Sequence, residues 1–228
     1  MIDALIFDLD GTLIDSVPDV GAAMNRMLAG AGYAQIPDEN VSDYVGWGAH
    51  AMIKKALATA GILSPDGELK QRLEEYLAFY RAAPAERTII YPGVLDVLNN
   101  LAATGIPMGV CTNKPHAMSK LVLDTLDMSR YFAAVLGGDI VPHRKPDGRH
   151  VHDTLHLMNA EGRSAVMIGD SETDMTAGRD AGLPVIAVTY GYAHGDPYQL
   201  DADICIDRFT DLPEALRRLS TPDSIPSA

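Results

Sequence analysis

Leu5-Ile6-Phe7-Asp8-Leu9-Asp10-Gly11-Thr12-Leu13 runs an apolar strand into two carboxylates two residues apart and then a glycine. Residues i and i+2 of a strand point to the same side, so Asp8 and Asp10 can converge on one small volume where the strand ends. Gly11 lets the backbone turn there and approach a ligand closely. Two like charges so near each other oppose joint ionisation unless a cation or hydrogen-bond donors neutralise them. The pair therefore asks for a metal ion or a shared proton. An ordinary Asp-Gly turn after a buried strand uses the same residues, and the segment alone leaves both readings open.

Strand patterns occur at Ala4 to Phe7, Pro107 to Cys111, Ala133 to Leu136, Ala165 to Ile168 and Pro184 to Val188. Helix-like stretches separate all but the first from the next. That alternation implies a parallel sheet covered by helices on both faces, a three-layer α/β core with function at its strand ends. From Val17 to Ala85 no strand pattern occurs. Ala22, Met24, Met27, Leu28 and Ala31 form one apolar helix face, Ala51 to Ala60 predicts a second helix, and Leu69 to Tyr80 a third. Turn signals stand at Gly32, Pro37, Gly61 and Pro65. A parallel crossover needs only one helix, so residues 16–87 read as an inserted all-helical domain that interrupts a core made of 1–15 and 88–220. The insert leaves the core directly after Asp8 and Asp10 and returns near Tyr91-Pro92-Gly93, so it would hang over their end of the sheet as a lid. The Ser- and Pro-rich residues 221–228 read as a flexible tail.

With 228 residues, 47% of them hydrophobic, the chain can build a substantial core. Its net charge of −13 disfavours nucleic acid or an anionic membrane as partner. No stretch reaches the roughly 20 apolar residues that span a bilayer. Cys111 and Cys205 stand far apart in apolar surroundings, which fits reduced thiols. With no basic, signal-like segment at the start, a cytoplasmic location is expected.

Three more strand patterns are followed by chemistry-bearing residues. Thr112-Asn113-Lys114-Pro115 offers a hydroxyl and an amide that could hold a phosphate or cap a helix. Lys145, in Arg144-Lys145-Pro146-Asp147, could meet a phosphate oxygen or simply face solvent. Gly169-Asp170-Ser171-Glu172-Thr173-Asp174 holds three acids within five residues. Ser171 and Asp174 have capping-box spacing, and the carboxylates also suit Mg²⁺, which binds through one or two of them and keeps several waters. His143, His150, His152 and His156 cluster without a His-Glu-x-x-His pattern, which favours a packed or solvated helix face over a metal site. His194 is a candidate for the rim of a site.

In this order, Asp8-x-Asp10-Gly11-Thr12, Thr112-Asn113, Lys145-Pro146 and Gly169-Asp170-x-x-x-Asp174 resemble the four motifs of the haloacid dehalogenase superfamily of phosphohydrolases. The likeness covers nearly the whole chain, since the helical insert resembles that superfamily's cap. Asp15-Ser16, Gly46-Trp47-Gly48, Tyr91-Pro92-Gly93-Val94 and Gly191-Tyr192 are most similar to phosphoglycolate phosphatases and their relatives. After Lys145-Pro146 the chain reads Asp147-Gly148-Arg149-His150, where those relatives usually carry a further proline.

The resemblance implies a Rossmann-like core with a helical cap, and a phosphatase of small organic phosphomonoesters, 2-phosphoglycolate first among them. It implies Asp8 as nucleophile, forming an aspartyl phosphate, and Asp10 as acid and then base. Mg²⁺ would be held by the Asp8 carboxylate, the Asp10 backbone carbonyl and Asp170, with Gly11 and Asp174 in support. Thr112, Asn113 and Lys145 would bind the phosphoryl oxygens. The expected assembly is a monomer or homodimer. A sugar phosphomutase would share Asp8 and Asp10. A signalling receiver would place its phosphorylated Asp after a middle strand and lack the insert, and a silent regulatory protein would not fill every catalytic position.

Overall fold

The computed structural model describes residues 2–62 and 66–220; the expected tail at 221–228 and the turn signal at Pro65 lie outside the described residues. The strands are β1 (Ala4–Phe7), β2 (Ile14–Asp15), β3 (Ile89–Ile90), β4 (Met108–Thr112), β5 (Ala134–Gly137), β6 (Ala165–Gly169), β7 (Val185–Val188) and β8 (Ile204–Ile206). The helices are α1 (Val17–Gly30), α2 (Ala49–Thr59), α3 (Asp66–Ala82), α4 (Val94–Ala103), α5 (His116–Thr125), α6 (Gly148–Leu157), α7 (Glu172–Asp180) and α8 (Leu212–Leu219).

β1 shows why the core has three layers. All four of its residues are fully buried, as a parallel strand covered on both faces requires. Alternation then divides them between two cores. Leu5 and Phe7 pack into the larger apolar cluster, with Val97, Leu98, Val122 and Phe209, whereas Ala4 and Ile6 pack into the smaller, with Val151, Leu155 and Met175. The sheet is parallel throughout, in the order β5-β4-β1-β6-β7-β8, a Rossmann-like α/β arrangement. After β1 the chain fills β4 and β5 on one side and then crosses to β6 on the other. The direction of winding reverses beside β1, which opens a crevice at the carboxyl ends of β1, β4 and β6.

Two features differ from expectation. A sixth strand, β8, forms the sheet edge; its three residues lie between Asp203 and Asp207, and so short a run carries no readable period. The chain also crosses to and from the helical segment side by side, as a ribbon in which Ile14 pairs with Ile90 and Asp15 with Ile89. The helices form close to their predicted ranges, with one correction of a face. Ala22 of α1 is exposed and Ala31 lies just past its end, while Val20, Ala23, Met24, Met27 and Leu28 face inward. Cys111 and Cys205 are free thiols, and no helix among the described residues is long and apolar enough to cross a membrane.

A buried carboxylate fastens the ribbon. Asp19 accepts the backbone N–H of Arg87 at 2.9 Å and, from Thr88, both the N–H and the hydroxyl at 2.7 Å. Asp19→Ala leaves these donors without an acceptor in a buried site, and the expected cost is about 3 kcal/mol in urea unfolding. Asp19→Asn keeps one acceptor oxygen and loses about half as much. An unchanged midpoint for Asp19→Ala removes this carboxylate from the list of stabilising contacts.

Candidate active site

The β1 ladder extends one residue beyond its last strand position, the Asp8 N–H donating to Ile168 O at 2.9 Å, so Asp8 stands in the crevice between β4 and β6. The backbone then reverses. Gly11 has φ +86°, and a Cβ there would lie 2.3 Å from Asp170 Oδ2, so both the turn and the close approach demand glycine. Asp170, at the end of β6, is held on both oxygens: Oδ1 accepts the Thr12 hydroxyl at 2.8 Å and Oδ2 the Tyr192 N–H at 2.8 Å.

Asp174 makes the capping box that its spacing predicts. Its Oδ2 accepts from Ser171 N–H at 3.1 Å and Ser171 Oγ at 2.6 Å, while Oδ1 lies 2.5 Å from Lys145 Nζ. Both oxygens are thus already engaged by protein donors. Lys145 is buried, and its Nζ lies 2.9 Å from Asp8 Oδ1. The Lys145 backbone N–H donates to His150 Nδ1 at 3.3 Å, and Nε2 on the far side of that ring meets Leu136 O at 3.3 Å. These partners require a neutral ring protonated at Nε2, and burial together with the Lys145 charge pushes its pKa down to about 4. His150 is therefore a brace for the Lys145 loop. His152 is exposed and His156 pairs with Glu161 at 2.7 Å, so the histidines follow the packed and solvated alternative.

Ligand atoms of Asp8, Asp170 and Asp174 all lie within 4.8 Å of one another. Burial, with Asp174 and Asp10 nearby, raises Asp8 to about 7 against the pull of Lys145. Burial, followed by the charges of Asp174 and Asp8, holds Asp170 well above the usual carboxylate range. For Lys145 burial works the other way, yet the charges of Asp174 and Asp8 outweigh it and raise its pKa. Asp8 Oδ1 is buried, and the partner it meets is the Lys145 ammonium, which it shares with Asp174. Buried carboxylates in excess of their cations form a hard-oxygen donor set that fits a divalent metal.

Thr112 and Asn113 reach the same crevice but behave differently. Neither caps α5, which starts at His116 without a side-chain cap. Thr112 is buried, and its Oγ1 accepts the Lys114 N–H at 3.2 Å. The Asn113 amide nitrogen donates to Gly46 O at 3.0 Å and Lys145 O at 3.1 Å, so both its N–H groups hold loops rather than facing a ligand.

Sequence reasoning misses Lys114, although the signal is present. It stands two residues after Thr112, the same spacing that pairs Asp8 with Asp10. Its buried ammonium lies 2.8 and 3.1 Å from the two Asp10 oxygens and 2.7 Å from the Tyr80 hydroxyl. Tyr192 has no role in the sequence beyond its place in a motif; in the structure its hydroxyl meets Asp15 at 2.6 Å and the Ser16 N–H at 2.9 Å, fixing the entry to α1.

Two small clefts, ≈ 40 and ≈ 30 Å³, meet at Asp8, Asp10, Val45 and Gly46. The first is also lined by Thr112, Asn113, Lys114, Met52 and Tyr76, and the second by Trp47, Asp170, Tyr192 and the rim candidate His194. The loop before α2 is pressed onto the core here: Gly48 has φ +84°, and a Cβ on it would lie 2.8 Å from Asn113 O. The helical segment is thus seated over the carboxylates, which explains why the clefts are small. A larger apolar groove of ≈ 310 Å³, lined by Tyr91, Tyr190 and Phe209, lies apart from the carboxylates.

The family described as haloacid dehalogenase-like hydrolase matches residues 5–188, a span that includes all four motifs. The chain belongs to that family. Among its relatives, a phosphoglycolate phosphatase of Agrobacterium fabrum is 37% identical over 92% of this chain and 91% of its own length. A phosphoglycolate phosphatase of Caulobacter vibrioides is also 37% identical, over 98% of this chain and 94% of its own. A crystal structure described as a predicted phosphoglycolate phosphatase from Haemophilus somnus superposes with a TM-score of 0.86 at 26% identity, covering 94% of this chain and 98% of the other. Within the haloacid dehalogenase-like hydrolases, these relatives are all phosphatases by name.

Proposed function

We propose that this enzyme hydrolyses a small organic phosphomonoester, 2-phosphoglycolate first among them, through an aspartyl phosphate on Asp8 and with Mg²⁺ as cofactor. The convergence of Asp8, Asp10, Thr112, Lys145 and Asp170, from the segments that follow four neighbouring strands, carries this function. The named relatives support the substrate class, and the small size of the clefts favours a small leaving group.

Asp8 attacks phosphorus; an Asp8 oxygen–phosphorus bond forms while the ester phosphorus–oxygen bond breaks. Asp10 gives its proton to the departing alkoxide, then takes one from the water that hydrolyses the aspartyl phosphate. Lys145 favours the ionised, nucleophilic form of Asp8 and faces the phosphoryl oxygens together with the Thr112 hydroxyl. The Asp8 carboxylate, the Asp10 carbonyl and Asp170 would hold Mg²⁺, which would supply charge neutralisation for the transferring group. Asp174 holds Lys145 and the start of α7, which is a supporting part. We further divide the chain into a core of 1–15 and 88–220 and a helical cap of 16–87, with the β2–β3 ribbon as the hinge between them.

Release of inorganic phosphate from a panel of phosphomonoesters with Mg²⁺ tests this function. The expected result is release in step with ester loss, fastest for a small carboxylated ester. Ester loss by isomerisation without release replaces the hydrolase with a phosphomutase. Inertness toward every ester removes the proposed activity.

A further inference from the structure

None of the steps above uses the buried ammonium of Lys114. It lies within hydrogen-bond distance of three oxygens: the two of the Asp10 carboxylate, Oδ1 at 2.8 Å and Oδ2 at 3.1 Å, and the Tyr80 hydroxyl at 2.7 Å. Ser16 adds a further hold, its Oγ donating to Asp10 Oδ1 at 2.5 Å. Asp10 is therefore gripped on both carboxylate oxygens.

Two of these partners belong to the helical segment and its entry. Tyr80 lies in the last turn of α3, with its ring 4.7 Å from Lys114 Nζ and 5.7 Å from the Tyr76 ring. Ser16 directly precedes α1. The hold on Asp10 is complete only while the helices are seated on the sheet. If α3 leaves, Lys114 loses an acceptor in a buried site and turns toward water, and Asp10 loses its two-oxygen grip.

We propose that Lys114 is a positioning residue that, through Tyr80, ties the seating of the helical segment to the orientation of Asp10 toward the leaving oxygen. It acts through Asp10 and touches no reacting atom. The physical basis is the sensitivity of proton transfer to position: a misplacement of about 1 Å can cost on the order of 10²-fold. The proposal rests on Asp10 serving as the acid of a phosphatase.

Leaving-group dependence tests it. 2-Phosphoglycolate expels an alkoxide that must be protonated, whereas p-nitrophenyl phosphate expels a phenolate that is stable without a proton. kcat/KM covers only the steps through aspartyl phosphate formation, so the later base role of Asp10 does not enter. Lys114→Met is expected to lower kcat/KM about 100-fold for 2-phosphoglycolate and less than about fivefold for p-nitrophenyl phosphate. Tyr80→Phe removes a single oxygen and keeps the ring; it is expected to lose about tenfold on the first ester and almost nothing on the second. If Lys114→Met does not fold, Tyr80→Phe decides the matter. Equal losses on both esters, or no loss in Tyr80→Phe, overturn the proposal while the phosphatase stands. A wild-type enzyme that hydrolyses neither ester removes the phosphatase and this proposal together.

Discussion

Asp8→Asn is expected to leave a folded protein whose phosphate release falls by on the order of 10⁴-fold or more, because the proposed route needs a carboxylate oxygen that can bond to phosphorus and an amide cannot replace it. The substitution is nearly isosteric and removes a charge whose burial is unfavourable, since Asp8 is raised to about 7 mainly by desolvation. Lys145 keeps its 2.5 Å contact with Asp174, so the buried ammonium is not left unpaired. Loss of turnover with an unchanged or slightly raised unfolding midpoint is the expected pair of results. Full phosphate release in Asp8→Asn would remove Asp8 as nucleophile, and a collapse of stability would show that its carboxylate holds the crevice together.

Removal of divalent metal by chelation is expected to stop turnover, and added Mg²⁺ to restore it. Binding should also appear without any substrate. At about 100 times its Kd, Mg²⁺ adds about 2.7 kcal/mol to stability, or roughly 5–10 °C in Tm for a chain of this size. The sign of the pH dependence follows from Asp8 and Asp170. Asp8 rises from 3.8 to about 7 on folding, so without metal the folded protein holds a proton that the unfolded chain has released. That contribution is full below about pH 4 and declines as the pH rises toward 7. Asp170 shifts in the same direction. Metal needs the ionised carboxylates, so its stabilising increment grows as the pH rises through about 7 and is small at about pH 5. Calorimetric unfolding at about pH 5 and about pH 8 measures this. An equal increment at the two pH values, or a full one in Asp170→Asn, counts against the carboxylates as the metal's holders.

Much of the site is legible because its parts end strands. Asp8, Thr112 and Asp170 each stand at or one residue past the end of an apolar run, where the pattern breaks and backbone groups open toward a ligand. What escapes is set by distance along the chain. Asp10 and Lys114 are 104 residues apart, Thr12 and Asp170 are 158 apart, and no local pattern links them. β8 escapes because three residues cannot display a period, and the ribbon because each of its strands has only two. Asp174 is legible as either a cap or an acidic ligand, and in the structure its oxygens serve the cap and Lys145.

Strand ends, helix faces and turn glycines follow from local sterics and from which residues must leave water, and these are written in residue order. They determine that carboxylates, a hydroxyl and an ammonium arrive at the carboxyl end of a parallel sheet. The charge state of those groups is not written there. The rise of Asp8 to about 7 and the engagement of the Asn113 amide by two loop carbonyls depend on which atoms lie within a few ångströms after folding. Desolvation and Coulomb interaction fall off with spatial separation, and only packing brings Lys114 to Asp10 beneath Tyr80.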